Sequence, residues 1–292
     1  MKKKVHLALL LLISVSVIGG IFALYIKKNE GGNNLIKSES AIAVNCENFE
    51  VIYEKDSRTT RSIASLTKIL LVYAVLDQIE NQKLSWEDTF HLSTYAEEIG
   101  SNPNLSNVPM YSEQEYTVRE LMEGVLIASA NNCAVTLAEG ISGSEEKFIE
   151  LIKQYLEEWE ITKYQLINVT GLDSEDLPTV KHQVAPYNRF SAYDLARISS
   201  KLINKFPSVL EITKQEGFQF SGIYIENSNK LLKQYNGVDG LKTGTTASAG
   251  SCLISTCEQK GKRVITVVLG AESDQIRYKD TAKLLNYSFR KI

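Results

Sequence analysis

The chain has 292 residues, 43% of them hydrophobic and 23% charged, with a formal net charge of -3 and a pI near 5.8. This is ordinary globular composition with material for one large core or two small ones. The mild acidity gives no electrostatic case for nucleic-acid binding, and four scattered cysteines and three dispersed histidines, His6, His91 and His182, carry no metal-ligand spacing and no sign of a Ser-His-Asp triad.

The amino terminus stands apart from the core. Met1-Lys2-Lys3-Lys4 precedes the apolar stretch Val5–Ile26, which as a helix spans the roughly 30 Å hydrocarbon core of a bilayer, and Lys27-Lys28 closes it. A cleaved signal has a shorter apolar run of about 7 to 15 residues and a small-x-small exit. Here Ser14-Val15-Ser16 and Ile21-Phe22-Ala23 are only passable exits, and no cysteine follows to make a lipoprotein. Residues 1–28 therefore read as a membrane anchor in preference to a cleaved signal, which would leave the protein secreted. The leading lysines favour a cytoplasmic tail and an exported bulk. Residues 29–40 read as a polar, glycine-bearing linker, and 41–292 as one domain with no internal repeat.

Ala41–Val44 and Val51–Tyr53 read as two short strands joined by a turn. They lead to Ser65-Leu66-Thr67-Lys68 and the apolar run Ile69–Leu76. In a helix beginning at Ser65, residues three apart share a face with β-carbons about 5 to 6 Å apart, so the Lys68 amine reaches the Ser65 hydroxyl. A serine hydroxyl is a poor nucleophile until a neighbour takes its proton, and a lysine amine does so only when burial or a second cation lowers its pKa. The apolar run would bury Lys68, and a helix start favours developing negative charge. A helix cap with a surface lysine is the plain alternative. Ser144-Glu145-Glu146-Lys147 has the same spacing without an apolar run and reads as a solvated helix start.

From Leu66 to about Leu210 the pattern is mainly helical. Thr117–Glu139 is predicted as one helix, with Thr117 and Glu120 as a capping box and Leu121, Val125, Leu126, Ala134 and Leu137 on its apolar face. Glu145–Trp159 and Ala192–Ile203 have similar periodicity, while Gly100–Pro109 and Asn168–Tyr187 read as loops. Asn168-Val169-Thr170 matches a glycosylation triplet but reads better as a turn before Gly171.

After Leu210 the period shifts towards strands at Gly217–Ile225, Gly240–Gly244, Ser251–Cys257 and Arg263–Gly270, followed by a helix over Ser273–Phe289. Cys252 and Cys257 lie an odd number of positions apart in one predicted strand, so they face opposite ways and do not pair readily with each other. Strands at both ends and helices between predict an α/β (α+β) domain in which the two terminal segments share one sheet beside a helical lobe.

Two further stretches complete a set. Ser129-Ala130-Asn131 is the chain's single Ser-x-Asn, in the helical middle, and Lys242-Thr243-Gly244 sits on a predicted strand before Thr245 and Thr246. Alone, the first is a pair of polar helix residues and the second a strand end with a tight turn. In the order Ser-x-x-Lys, Ser-x-Asn, Lys-Thr-Gly they match the three motifs of serine β-lactamases and penicillin-binding proteins. With Tyr116–Leu121, Thr170-Gly171-Leu172, Ser191–Ala196 and Gly237–Gly244, the chain from about Ala41 onward resembles the D-alanyl-D-alanine carboxypeptidases of peptidase family S11, the low-molecular-weight penicillin-binding proteins.

That resemblance implies the β-lactamase/DD-peptidase fold, an antiparallel sheet flanked by helices plus a helical lobe. It implies a cell-wall enzyme acting on peptidoglycan stem peptides, acylated by β-lactams as covalent inhibitors, with no cofactor or metal. Ser65 would be the nucleophile, Lys68 its base and Ser129 a proton relay, making these the catalytic residues. Asn131, Lys242, Thr243, Gly244 and Thr245 would bind substrate, with the N–H groups of Ser65 and Thr245 as oxyanion hole and Arg277 as a weaker carboxylate candidate. Ile63, Asn132 and Thr245 depart from the residues usual at those places, and Asn132 and Thr245 are where rate or side-chain preference would change. The β-rich second domain and amphipathic tail common in the family are not matched, which fits attachment through residues 5–26. The alternatives are a class A type β-lactamase, which needs a deacylating carboxylate in a Glu-x-x-Leu-Asn stretch not found here, and a catalytically silent wall-binding module.

Overall fold

The computed structural model describes residues 35–178 and 186–292. The chain divides into two units, Met1–Lys37 and Ser38–Ile292, and all that follows concerns the second. The anchor reading of 1–28 and most of the 29–40 linker lie outside the described residues. Among the described residues no helix is long and apolar enough to cross a membrane.

The strands in chain order are β1 (Ser40–Asn45), β2 (Val51–Lys55), β3 (Thr60–Ser62), β4 (Thr89–His91), β5 (Glu115–Thr117), β6 (Arg189–Ser191), β7 (Gly217–Phe220), β8 (Ile223–Glu226), β9 (Val238–Thr246), β10 (Gly250–Gln259) and β11 (Lys262–Ala271). Five form one antiparallel sheet in the order β2-β1-β11-β10-β9. The register sets Ile42 opposite Val267, Val267 opposite Ile254, and Ile254 opposite Lys242. The ends of the domain thus share a sheet, as the periodicity predicts. Strands β1, β10 and β11 are buried on both faces and read as nearly continuous apolar runs, because the Asp274–Phe289 helix packs on the sheet from one element and Ala192–Lys205 from another.

The helical lobe is built around Lys68–Glu80, which behind Lys68 is almost wholly apolar through Leu76 and has every residue from Lys68 to Leu76 buried. A helix that is hydrophobic all round belongs in the interior. This placement carries Lys68 inward with it. Glu145–Glu158 and Ala192–Lys205 form as predicted, and Ser144 is the N-cap of the former, its hydroxyl accepting from the Lys147 N–H. Ser144, which shares the Ser65–Lys68 spacing, is thus a helix cap.

Two predicted elements are corrected. The Thr117–Glu139 helix is broken: the Thr117/Glu120 capping box opens Val118–Glu123, a wide π turn follows over Gly124–Ala128, Ser129 takes a left-handed φ of 63°, and a new helix runs Asn131–Ser142. Gly124 permits the break by close approach, since a β-carbon there would lie 2.6 Å from Cys133 Sγ. Apolar residues recur on both sides of it, so the periodicity hides the interruption. Likewise Gly217–Ile225 is a hairpin, with Ser221 and Gly222 at φ 45° and 79° turning β7 into β8 as a separate two-stranded sheet. All four cysteines, Cys46, Cys133, Cys252 and Cys257, are buried free thiols.

Candidate active site

Ser65 lies in a 3-10 turn, Ala64–Thr67, and Lys68 opens the helix behind it. The turn is entered through Ala64 in a left-handed conformation, φ 47°, which leaves Ser65 partly exposed while Leu66 and Thr67 go into the core. Lys68 is fully buried, and its Nζ lies 2.9 Å from Ser65 Oγ, 2.8 Å from Asn131 Oδ1 and 2.6 Å from the Thr170 carbonyl. Among the described residues no carboxylate hydrogen-bonds this amine. Burial lowers the Lys68 pKa well below its ordinary value, and the nearby charge of Lys242 lowers it further. A neutral amine has two N–H donors and one lone pair. With Asn131 Oδ1 and Thr170 O able only to accept, the lone pair is left for the Ser65 proton.

The second cation is equally buried. Lys242 comes from β9, and its Nζ donates to Ser129 Oγ at 2.8 Å and to the Thr243 carbonyl at 2.9 Å. Burial, then the charge of Arg277, pulls its pKa down to about 7. Ser129 reaches it only because the helix breaks: the left-handed residue turns the hydroxyl out of the helical path towards the sheet. Arg277 lies 3% exposed beneath the strand, donating to Gly244 O, Thr245 Oγ1 and Cys252 O at 3.1 to 3.2 Å and pairing with Asp274 at 3.0 Å. Its guanidinium supports β9 from below.

Gly244 lets the strand close on the nucleophile. A β-carbon there would sit 2.9 Å from Ser65 N and 3.1 Å from Leu66 N. From the other side Gly171, at φ 80°, brings the loop so near that a β-carbon would fall 2.0 Å from the Ala64 carbonyl. Thr243 is buried with its hydroxyl 2.8 Å from Ser228 Oγ, and Thr245, two residues on, is exposed. The structure therefore brings Ser65, Lys68 and Asn131 into one cluster and Ser129 and Lys242 into a second, adjoining one, with Thr243, Gly244 and Thr245 along its edge.

Three parts of this arrangement have no signature in the sequence. The Thr170 carbonyl, which meets both Lys68 Nζ and, at 3.3 Å, Ser65 Oγ, is a backbone group. So is the Ser106 carbonyl, which accepts from Asn131 N and Nδ2 and leaves Oδ1 facing Lys68. Asn168 is the third: buried, its Oδ1 accepts from Gly171 N and Thr170 Oγ1, while Asn188 Nδ2 donates to its carbonyl and to Thr67 Oγ1. The triplet at 168–170 is a turn. Asn132, expected to bear on rate, faces away from the nucleophile and clasps Val108 through both its amide groups, so it anchors the loop that carries Ser106. Among the described residues no group of three or more His, Cys, Asp and Glu side chains is arranged to hold a metal ion.

Comparison with known proteins gives one consistent result. The family model described as D-alanyl-D-alanine carboxypeptidase, peptidase S11, matches residues 27–273. The D-alanyl-D-alanine carboxypeptidase DacF of Bacillus subtilis is 31% identical over 258 residues, covering 87% of this chain and 62% of DacF. The chain thus spans about six tenths of the length of the curated relatives it matches. A solved structure of a peptidoglycan synthesis regulatory factor, PBP3 of Streptococcus pneumoniae, superposes with a TM-score of 0.83 at 39% identity, over 87% of this chain and 74% of that one. Penicillin-binding protein D2 of Listeria monocytogenes in its cefotaxime-bound form superposes at 0.76 with 32% identity, over 87% and 98%. The fold is that of the penicillin-binding proteins.

Proposed function

The chain belongs to the D-alanyl-D-alanine carboxypeptidase family, peptidase S11, and from that premise we propose that it removes the terminal D-alanine of peptidoglycan stem pentapeptides through an acyl-enzyme on Ser65. The observation that carries the reading is the Lys68 amine, buried with no carboxylate bonded to it among the described residues, 2.9 Å from Ser65 Oγ.

In this reading Lys68 takes the Ser65 proton as Oγ attacks the carbonyl between the two D-alanines. The oxyanion forms against the N–H groups of Ser65 and Thr245, by analogy with the family. Ser129, held by Lys242, passes a proton to the leaving amine, D-alanine departs, and water then cleaves the ester to restore Ser65. Lys242 supplies positive charge to the substrate's terminal carboxylate, with Thr243 and Thr245 as hydroxyl donors and Asn131 holding both the substrate amide and Lys68. Gly244 contributes by having no side chain, which lets the substrate-binding strand lie directly against the backbone of Ser65.

Slow hydrolysis of a penicillin acyl-enzyme follows from the same site, because among the described residues no carboxylate is hydrogen-bonded to Ser65 or Lys68 to activate water there. β-Lactams then act as covalent inhibitors. Residues 41–292 form the catalytic domain, and 1–28 attach it to the membrane through 5–26 with the domain outside the cytoplasm, 29–40 being the link.

The test is release of D-alanine from a diacyl-L-lysyl-D-alanyl-D-alanine peptide, together with labelling by a fluorescent penicillin that disappears in Ser65→Ala. Rapid steady penicillin turnover would instead identify a β-lactamase, and no labelling of folded wild type a silent module. Retention of the full chain in carbonate-washed membranes tests the attachment.

A further inference from the structure

The segment Asn227-Ser228-Asn229 leaves the β7–β8 hairpin and crosses between the helical lobe and the sheet. Its ends are fixed by side-chain amides: Asn227 Nδ2 donates to Gln215 O at 2.8 Å, and Asn229 Nδ2 to Gly240 O at 3.3 Å. Ser228 is held at both backbone atoms. Its N–H donates to Ile127 O at 3.0 Å, inside the π turn that ends at Ser129, and its carbonyl accepts from Tyr278 OH at 3.2 Å. The hydroxyl alone is left to choose a direction, and it lies 2.8 Å from Thr243 Oγ1.

Among the described residues, neither hydroxyl has another protein partner. Two hydroxyls joined by one hydrogen bond carry two protons, one between them and one to spare. A carboxylate only accepts. If Thr243 donates to it, the proton between the two oxygens has to come from Ser228, and the chain from Ser228 through Thr243 to the carboxylate polarises in one sense, each bond strengthening the next.

We infer that Ser228 is a positioning residue for recognition of the substrate's terminal carboxylate: its hydroxyl donates to Thr243 Oγ1 and so turns the Thr243 proton towards that carboxylate. The inference rests on the carboxypeptidase reading above. It adds a determinant of substrate choice that sits outside the three motifs and touches no reacting atom.

The test compares an N-acyl-D-alanyl thioester whose leaving group ends in a free carboxylate with the same thioester methylated there. In wild type the ratio of kcat/KM for acid over ester measures carboxylate preference. Ser228→Ala lowers that ratio about 10-fold, the size of one lost hydrogen bond to a charged acceptor, and does so through KM. Ser228→Thr, which keeps a hydroxyl, holds the ratio within about 3-fold of wild type. Thr243→Val lowers it as well, and Ser228→Ala added to Thr243→Val lowers it no further, because the two act in series. Saturating fluorescent penicillin counts folded sites in every variant. Equal losses on both thioesters, an unchanged ratio in Ser228→Ala, or additive losses in the double variant would overturn the inference. Failure of wild type to release D-alanine from the diacyl peptide would bring down the carboxypeptidase reading itself, whereas release with an unchanged Ser228→Ala ratio brings down this inference alone.

Discussion

Two lysines at the two ends of the helical lobe show opposite solutions to the same problem. Lys205, at the outer end of Ala192–Lys205, is 39% exposed and meets Asp77 Oδ1 at 2.6 Å and Glu80 Oε2 at 3.0 Å. Partial burial works against its charge, but the bonds to the two carboxylates outweigh it and hold its pKa above the ordinary value. Lys68, behind Ser65, is fully buried and among the described residues meets only a hydroxyl, an amide oxygen and a carbonyl, with a second cation nearby. In the first place carboxylates favour the ammonium; in the second, burial and a neighbouring cation favour the neutral amine that the proposed reaction needs. The difference lies in the carboxylates, two beside Lys205 and none bonded to Lys68 among the described residues.

The largest effect comes from removing that amine. Lys68→Ala should cut the rate of Ser65 acylation by penicillin at least about 1,000-fold, comparable to loss of a general base, while folding is retained because the surrounding apolar wall is untouched. Stopped-flow acylation checks this, and a loss below 10-fold would mean another base serves Ser65.

Next in size is the placement of a carboxylate where the structure avoids one. Asn131→Asp sets an anion on the contact that is 2.8 Å from Lys68 Nζ, favouring the ammonium and raising its pKa. Acylation requires the neutral amine and falls as pH drops through that pKa, so the acid limb of the pH–rate profile should move to higher pH, with a loss of about 100-fold at neutral pH. An unmoved limb would show that the amine's charge does not govern the rate.

A smaller effect appears in stability. Unfolded, Lys242 holds its proton up to about 10.5, whereas folded it does so only to about 7. Between these values the unfolded chain binds more protons, so stability rises with pH across that window. Lys242→Met should flatten this rise and add about 1 to 3 kcal/mol at pH 7, at the expense of activity, measured by urea unfolding at several pH values. Last, Lys205→Met should change stability by less than about 1 kcal/mol and leave acylation alone, since its pair is partly solvated and far from the chemistry.

Much of this architecture is legible in the sequence. The shared sheet of the terminal strands, the buried start of the Lys68 helix, the capping box at Thr117 and the linear order of the three motifs follow from apolar periodicity and residue type, which are local properties. The break at Ser129 does not, because apolar residues recur at helical spacing on each side of it, Leu121 with Val125 and Ala134 with Leu137, and the close approach of Gly124 to Cys133 that permits it is a contact only the folded chain makes. The hairpin at Ser221-Gly222 hides in a strand-like run for a similar reason. Within the site, side-chain acceptors such as Asn131 could be named from the motif, but the carbonyls of Thr170 and Ser106 could not, since every residue has one. Nor does the pairing of Ser228 with Thr243 show in sequence, where one serine among many lies 15 positions from its partner.

The central claim is that Lys68 is a neutral amine when it meets Ser65. Protein labelled with 15N at the lysine side chains, titrated by NMR, tests it directly once the Lys68 resonance is identified by its loss in Lys68→Met. This resonance should pass to the neutral-amine form at a lower pH than that of any exposed lysine in the chain. A Lys68 signal that titrates together with the exposed lysines would contradict it.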